Sequence, residues 1–451
     1  MRVLLVSTYE LGHQPVHLAS PAAALRRCGH QVDTVDLSVQ PWDPDALARA
    51  EAVAFSVPMH TAMRLALAAA AVVRRDRPEV PICLYGLYAT ASSDPTGDGV
   101  VDRVLAGEYE PALVSWVDGL AGEVGPTGEV AVVARGRSAF AVPDRAELAP
   151  LGRYAHLAVD GEEHLVGCVE ASHGCASRCR HCPVPTVYDG HFRAVAADIV
   201  LADIAQLVDA GARHITFADP DFLNGVQHSL RIVRALHQRF PEVTFDCTTK
   251  VELILRHRGI WAELAASGCL FVVSALECVD DDILARLDKG HTAADAAEAV
   301  ELLRVHGIEL RPSFLPFTPW TTVEGLVALV DFVAAHDLVA NVDPVHYTIR
   351  LLLPEGSLLL DSPDLAPYLG PYDPARLSYT WTAAHPEVDV LQRELATLVE
   401  AGVAAGEPSE ALYLAVGAAV RRAAGRPAVD NALVLAGAGE HRPRLTEPWF
   451  C

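Results

Sequence analysis

Apolar positions along the first 120 residues fall into short runs separated by stretches in which they recur at helical spacing. Residues 2–7 (RVLLVS), 31–37, 51–57 and 80–86 read as short strands bounded by turn residues. Residues 17–27 and 60–75, between them, carry apolar side chains three and four apart, and a final strand–helix pair occupies 100–106 and 111–120. Such alternation predicts a doubly wound parallel sheet with ligands at the carboxyl ends of its strands. No G-x-G-x-x-G follows the first strand, so the pattern does not support a dinucleotide. Residues 122–136 are Gly-rich and 144–149 polar, and together they read as a linker with a small hairpin.

From about residue 161 the alternation resumes with a longer period. Strands are expected at 164–171, 214–218, 243–248, 270–276, 310–315 and 345–353. Helices are expected at 194–210, 230–240, 251–266, 293–306 and 323–336. Six strands alternating with helices predict an open, partial (β/α)6 barrel with its chemistry at the strands' C-terminal ends. The last stretch begins loop-like and becomes helical over 388–404 and 409–424. The chain is thus expected to be α/β, with a Rossmann-like domain at 1–121, a linker at 122–160, a barrel at 161–353 and a helical extension and tail at 354–451.

Composition narrows the function. The 451 residues are 51% hydrophobic and 21% charged, the profile of a globular protein. No apolar run reaches the roughly 18–20 residues of a membrane span, and the N-terminus lacks the signal-peptide pattern, so a cytoplasmic setting without membrane contact is expected. A net charge of −23 argues against a nucleic-acid partner, which would need clustered Lys and Arg. Of 35 basic residues only Lys250 and Lys289 are lysine, which marks both positions wherever a compact ammonium is wanted.

Seven of the ten cysteines are scattered, and several sit in apolar runs as small hydrophobes. The other three are clustered directly after the first barrel strand, in Ala171-Ser-His-Gly-Cys175-Ala-Ser-Arg-Cys179-Arg-His-Cys182. Spaced x3 and then x2, three thiolates can wrap one face of a cubane and leave its fourth iron open. Gly174 permits the tight turn from strand to loop. Zinc would want four ligands, usually in two separated pairs, and no second C-x2-C exists. An electron carrier would need a fourth cysteine at ferredoxin-like spacing, and none follows. His181, wedged between Cys179 and Cys182, is expected to line the pocket.

This spacing after a first barrel strand resembles the radical S-adenosylmethionine (radical SAM) superfamily. The stretch Phe217-Ala-Asp-Pro-Asp-Phe-Leu-Asn224 resembles the second-strand segment of the branch with an N-terminal cobalamin-binding-type domain. Ser274-Ala-Leu-Glu277 with residues 281–289 resembles its fourth-strand segment, and Gly107-Glu-Tyr-Glu110 its "GEGE", with Tyr109 in place of a glycine. The resemblance covers about residues 1–350. It implies a 4Fe-4S cluster on Cys175, Cys179 and Cys182, S-adenosylmethionine (SAM), an external one-electron reductant and a further, unnamed substrate. It also implies that Glu277 contacts SAM. Asp219 and Asp221 become candidates for SAM or substrate, with a turn or helix cap as the alternative for Asp221. Lys289 becomes a carboxylate partner, with an exposed helix-end lysine as the alternative. Lys250, ending the third strand, would face the pocket.

The same resemblance implies cobalamin as a further cofactor, serving methyl transfer or rearrangement. The D-x-H-x-x-G lower-ligand motif is missing from residues 8–15, and Tyr85, Tyr88 and Tyr109 crowd the expected corrin loops, so a domain that only docks on the barrel stays open. The ending Trp449-Phe-Cys451 resembles the start of the tail in CUAEP/CCAEP-tail radical SAM proteins, which predicts that the reading frame continues past Cys451 through a selenocysteine codon. Two other readings remain. One is an iron–sulfur redox or binding protein without SAM turnover. The other is a tRNA methylthiotransferase-like enzyme, against which the N-terminal cysteine count and the charge both weigh.

Overall fold

The computed structural model describes residues 1–91, 99–122, 131–136, 139–427 and 442–447. Its first layer system is a parallel sheet of β1 (Arg2–Ser7), β2 (Gln31–Asp36), β3 (Ala52–Ser56), β4 (Ile82–Tyr85), β5 (Arg103–Gly107) and β6 (Ala131–Ala134), in the order β2-β1-β3-β4-β5-β6. The connecting helices are α1 (Val16–Arg27), α2 (Pro44–Arg49), α3 (His60–Asp76) and α4 (Tyr109–Ala121). Strands β1 and β3 are buried almost throughout, because helices cover both faces and leave no polar side to the sheet. Two buried clusters result, one around Phe55 and Met63 and the other around Leu18, Leu113 and Trp116.

Part of the expected linker belongs to this sheet. Residues 131–134 pair in parallel with β5, so the hairpin expected there does not form. The hairpin lies further on, where β7 (His156–Val159) pairs antiparallel with β8 (Glu162–Val169). Its turn residues Asp160 and Gly161 both have positive φ, +51° and +79°, as a two-residue hairpin turn demands. Arg145 welds the linker to both neighbours. It is buried, and its guanidinium donates to Asp203 Oδ1 at 2.7 Å, to the Cys168 carbonyl at 2.7 Å and to Gln14 Oε1 at 2.9 Å.

After β8 the chain makes a short antiparallel pair, β9 (Ser172–Gly174) with β10 (Phe192–Ala194), which brackets α5 (Val184–Tyr188). The parallel sheet then continues through β11 (His214–Phe217), β12 (Thr244–Thr248), β13 (Cys269–Glu277) and β14 (Glu309–Phe314). Helices α6 (Ala197–Asp209), α7 (Val226–Arg239), α8 (Val251–Arg256), α9 (Trp261–Ala266), α10 (Asp281–Arg286), α11 (Ala293–Val305) and α12 (Val323–Ala335) cover its outer face. Phe217, Phe245, Val272 and Leu310 point into that helical layer, while Thr216, Asp246 and Val273, one residue away on the same strands, turn to the inner face.

The sixth expected strand, residues 345–353, is not a strand. Pro344–Tyr347 is a 3-10 turn, and only Arg350 forms a parallel bridge, to Phe317. Pro344 starts the turn, and the Thr348 amide donates back to Val345, so the backbone is committed locally before it can reach the sheet. Five parallel strands therefore make the half-barrel. Its other edge carries β7 and then β17 (Arg444–Leu445), beyond a C-terminal hairpin of β15 (Leu369–Asp373) and β16 (Ser378–Trp381) and the helices α13 (Pro386–Ala404) and α14 (Ser409–Ala423). Just before β17, the Pro443 carbonyl accepts from Arg311 on β14 at 3.4 Å, so this short segment touches both edges of the open sheet. The tail from Pro448 to Cys451 lies outside the described residues. Among those described, no helix is long and apolar enough to cross a membrane.

Candidate active site

The three clustered cysteines lie in the loop between β9 and α5, above the carboxyl end of β8. The loop's entry is fixed by Gly174, whose φ is +73° and at which a Cβ would stand 2.5 Å from the His191 carbonyl oxygen. Only glycine satisfies both conditions. Cys175 and Cys179 are buried and Cys182 is half-buried, and all three are free thiols. Three contacts hold the loop from within and from outside. The Ser177 amide donates to Cys175 Sγ at 3.4 Å, the Ala176 amide donates to Asn224 Oδ1 at 3.1 Å, and the Arg180 amide donates to the Leu287 carbonyl at 2.9 Å. Among the described residues no three His, Cys, Asp or Glu side chains are gathered tightly enough for a single metal ion. A four-iron cubane spreads its thiolates more widely than one ion does, so this donor set fits a cluster better than zinc.

Burial pushes the Cys182 thiol up to about 12, and burial followed by the Asp221 carboxylate raises Cys175. Ligation needs thiolates, so a nearby positive charge helps. Lys289 supplies it. Its side chain is 3% exposed, and although burial alone would lower its pKa, Glu277 together with Cys179 and Cys182 raises it. The ammonium donates to Glu277 Oε1 at 2.9 Å, and His181 Nε2 meets the same oxygen at 2.9 Å. Glu277 itself is buried. Burial would raise its pKa, yet Lys289 and His181 hold it well below the usual carboxylate range. Its backbone is left-handed, φ +64°, which is strained for a non-glycine residue and is the kind of distortion that collects at binding sites.

The sequence expectations can now be placed. Glu277, His181 and Lys289 form one cluster against the cysteine loop. Lys289 is no exposed helix-end lysine, because the chain folds back after α10 and carries residues 287–289 beneath the loop. Lys250 reaches the same loop from the end of β12, donating to Ser177 Oγ at 3.2 Å, with Glu252 at 3.4 Å. The chain's only two lysines therefore converge on one site.

The aspartates are differently used. Asp219 accepts from the Ala171 amide at 2.9 Å and from Ser172 Oγ at 2.5 Å, which braces the turn from β8 into β9, and burial raises its pKa to about 7. Asp221 caps the short helical turn Phe222–Gly225. It accepts from the Leu223 amide at 3.1 Å, from Thr249 Oγ1 at 2.7 Å and from the Lys250 amide at 3.3 Å. That is the capping alternative, and it also positions Lys250.

Two residues, His291 and Asn224, were missed as site candidates in the sequence. His291 is 7% exposed with both ring nitrogens unpartnered, and burial pushes its pKa to about 4, so it is neutral. His181 Nδ1 and Asn224 Nδ2 are likewise buried without partners. Such orphaned atoms beside the cysteine loop suit a polar ligand. Asn224 and His291 each adjoin a stretch whose resemblance was noted, but no spacing rule singles them out.

Below the loop, the carboxyl ends of the two sheets face each other across a chain of buried and half-buried acids and imidazoles. His17 bonds Glu10 at 2.7 Å and Glu170 at 3.5 Å, and His173 bonds Glu170 at 3.3 Å and Glu108 at 3.2 Å. A cavity of about 200 Å³ lies along this chain, bordered by Pro58, Met59, Leu87, Tyr109 and Tyr188. Nothing in the periodicity of either domain foretells the pairing, since its members come from both.

Comparison with known proteins agrees with this arrangement. Residues 169–333 match the model of the radical SAM superfamily. The hopanoid C-3 methylase of Methylococcus capsulatus is 22% identical over 326 residues, 68% of this chain and 62% of the methylase, so the chain spans under two thirds of that relative's length. Among solved structures, the cobalamin-dependent SAM radical enzyme OxsB with aqua-cobalamin and SAM bound superposes with a TM-score of 0.70 at 16% identity, over 89% of this chain and 67% of OxsB. The radical SAM methyltransferase TsrM from Kitasatospora setae, solved with tryptophan and a SAM analogue, gives 0.63 at 18% identity, over 79% of this chain and 75% of TsrM.

Proposed function

We propose that this chain, whose residues 169–333 are a radical SAM domain, is an enzyme that cleaves SAM reductively at a 4Fe-4S cluster held by Cys175, Cys179 and Cys182. The observation that carries this reading is the convergence of Glu277, Lys289 and His181 on the cysteine loop. When bound, the cluster supplies an electron to the sulfonium of SAM, drawn from an external one-electron reductant. Glu277, kept ionised by the Lys289 ammonium and its bond with His181, accepts from the ligand's ammonium or ribose hydroxyls. Lys250 offers an ammonium to the ligand's carboxylate, neutral His291 offers hydrogen bonds without adding charge, and the unpartnered His181 Nδ1 offers one more. Asp221 orients Lys250, and Asp219 braces the loop.

Cobalamin is the further cofactor of the solved relatives. Here the loops after β3 and β4 present half-buried Pro58, Met59 and Leu87 between the two sheets, an apolar floor that fits the edge of a flat macrocycle. Those residues would hold it, and Glu10, His17 and Tyr109 would close the side under β1 and β5. With cobalamin in place the reaction class would be methyl transfer, the class named for the hopanoid C-3 methylase and for TsrM.

The test is anaerobic incubation of reconstituted protein with SAM and dithionite. Wild type is expected to form 5′-deoxyadenosine, and Cys175→Ala to form none and to lose its cluster absorbance. A wild-type cluster that forms with no nucleoside product would leave a redox or binding protein instead. Absorbance of protein produced with cobalamin reports the corrin separately.

A further inference from the structure

A second cavity, of about 610 Å³, opens between the N-terminal sheet domain and the C-terminal region. On one side stand His60 and Arg64 at the start of α3, and on the other Arg350, Arg376, Trp381 and Arg393. In a chain with 58 acidic and 35 basic residues this is an unusual lining. The one acidic residue bordering the cavity, Asp389, is already satisfied. It takes Arg350 Nη1 at 2.5 Å and the Ala383 amide at 3.0 Å. Arg350 is locked in turn by the Trp381 carbonyl at 2.5 Å and lies 3.5 Å over the Trp381 ring.

Arg64 and Arg393 are exposed, and neither guanidinium has a hydrogen-bond or ion-pair partner among the described residues. The cavity borders the first turn of the seventeen-residue helix α3 at His60, and that turn holds no acidic residue to offset the helix dipole. His60 bonds the Arg376 carbonyl at 2.7 Å and so ties that turn to the β15–β16 hairpin. The volume falls within the roughly 300–1,000 Å³ of small-molecule sites. Guanidiniums on opposite walls can each take two oxygens of one anion, and a phosphate, with more terminal oxygens and more charge than a lone carboxylate, can engage both at once.

We infer that this cavity is a binding site for a small organic anion bearing phosphate, bridging the N-terminal domain and the C-terminal region. The site stands apart from the cysteine loop and does not depend on the reading of that loop. It is nevertheless one short segment away, since Leu351 and Leu352 line it while Pro354 and Glu355 line the small cleft shared with His181 and Cys182.

Pyrophosphate is the probe, titrated calorimetrically into the full-length protein at low salt. Wild type is expected to bind saturably at one site, and Arg64→Glu and Arg393→Glu are each expected to weaken binding at least tenfold. Arg64→Lys, which keeps the charge but loses the fork, is expected to fall between them. Both arginines are exposed and unpaired, so unchanged thermal midpoints without ligand will show that the variants fold. Binding of equal strength in wild type and both charge reversals, or no saturable binding by wild type, overturns the inference.

Discussion

Two carboxylates, buried Glu277 and half-buried Glu170, each lie between two basic side chains, and their difference separates a candidate ligand site from a domain joint. Both have pKa values pulled down against the upward push of burial, Glu277 by Lys289 and His181 and Glu170 by His17 and His173. Glu277 takes its partners from one stretch of the barrel and from the cysteine loop, on strained backbone and beside unpartnered nitrogens. Glu170 takes His17 from the N-terminal domain and His173 from its own strand end, so it stitches the two sheets together. The cations differ as well. A lysine ammonium costs roughly 4–5 kcal/mol to neutralise at pH 7, whereas a histidine costs about 1 kcal/mol or less. Without its carboxylate the site therefore stays charged, whereas the joint's histidines, whose pKa values are raised by their acidic neighbours, can shed charge once Glu170 is gone.

That difference can be broken most forcefully at Glu277. Glu277→Gln strands the Lys289 ammonium, and a loss of about 3–5 kcal/mol in denaturant-measured stability is expected, together with at least tenfold weaker SAM binding by equilibrium dialysis. Glu170→Gln leaves histidines that can deprotonate, so a smaller loss of about 1–3 kcal/mol is expected with SAM affinity within about twofold of wild type. Equal losses in the two variants would erase the distinction between site and joint.

Gly174→Ala sharpens the comparison from the loop side. A Cβ there collides with the His191 carbonyl, so iron content after reconstitution should fall by more than half while the N-terminal domain's proteolytic pattern stays unchanged. Full iron loading would show that the loop can move.

The smallest expected effect is on pH dependence. The pKa of His17 is raised well above the usual 6.5, because Glu10 and Glu170 outweigh the burial that would lower it. Its contribution to stability is complete below about 6.5 and disappears as pH rises through the raised value. Glu170 is depressed, so its contribution is present above its usual 4.5 and is lost only in stronger acid. Thermal midpoints should therefore decline on the alkaline side of neutrality, and His17→Gln should flatten that decline. A wild-type midpoint flat from pH 6.5 upwards would show that the joint does not hold the domains.

Much of the site was legible in the sequence because its parts are local. The cysteine spacing, Gly174 and the turn into the loop all lie within eleven residues of one another, and Glu277 and Lys289 are twelve apart on one strand–helix unit. What was misjudged or left open depended on contacts made far away. Residues 345–353 have strand-like composition, but Pro344 and the Thr348 turn claim their backbone first. Lys289 was either a carboxylate partner or an exposed helix end, and the return of the chain beside Glu277 decided for the first. Asp221 carried two readings, and the Leu223 amide and Thr249 decided between them.

Sequence by itself determined the two α/β units, the three-thiolate loop and the isolation of two lysines in an arginine-rich chain. Each of these follows from periodicity or spacing within a few turns of backbone. Tertiary structure alone decided that both lysines serve one loop, that an acid–imidazole chain joins the sheets, and that unpaired arginines face each other across a cavity. Those features draw residues from segments tens to hundreds of positions apart, and the electrostatics that gives them meaning exists only once folding removes the water between them.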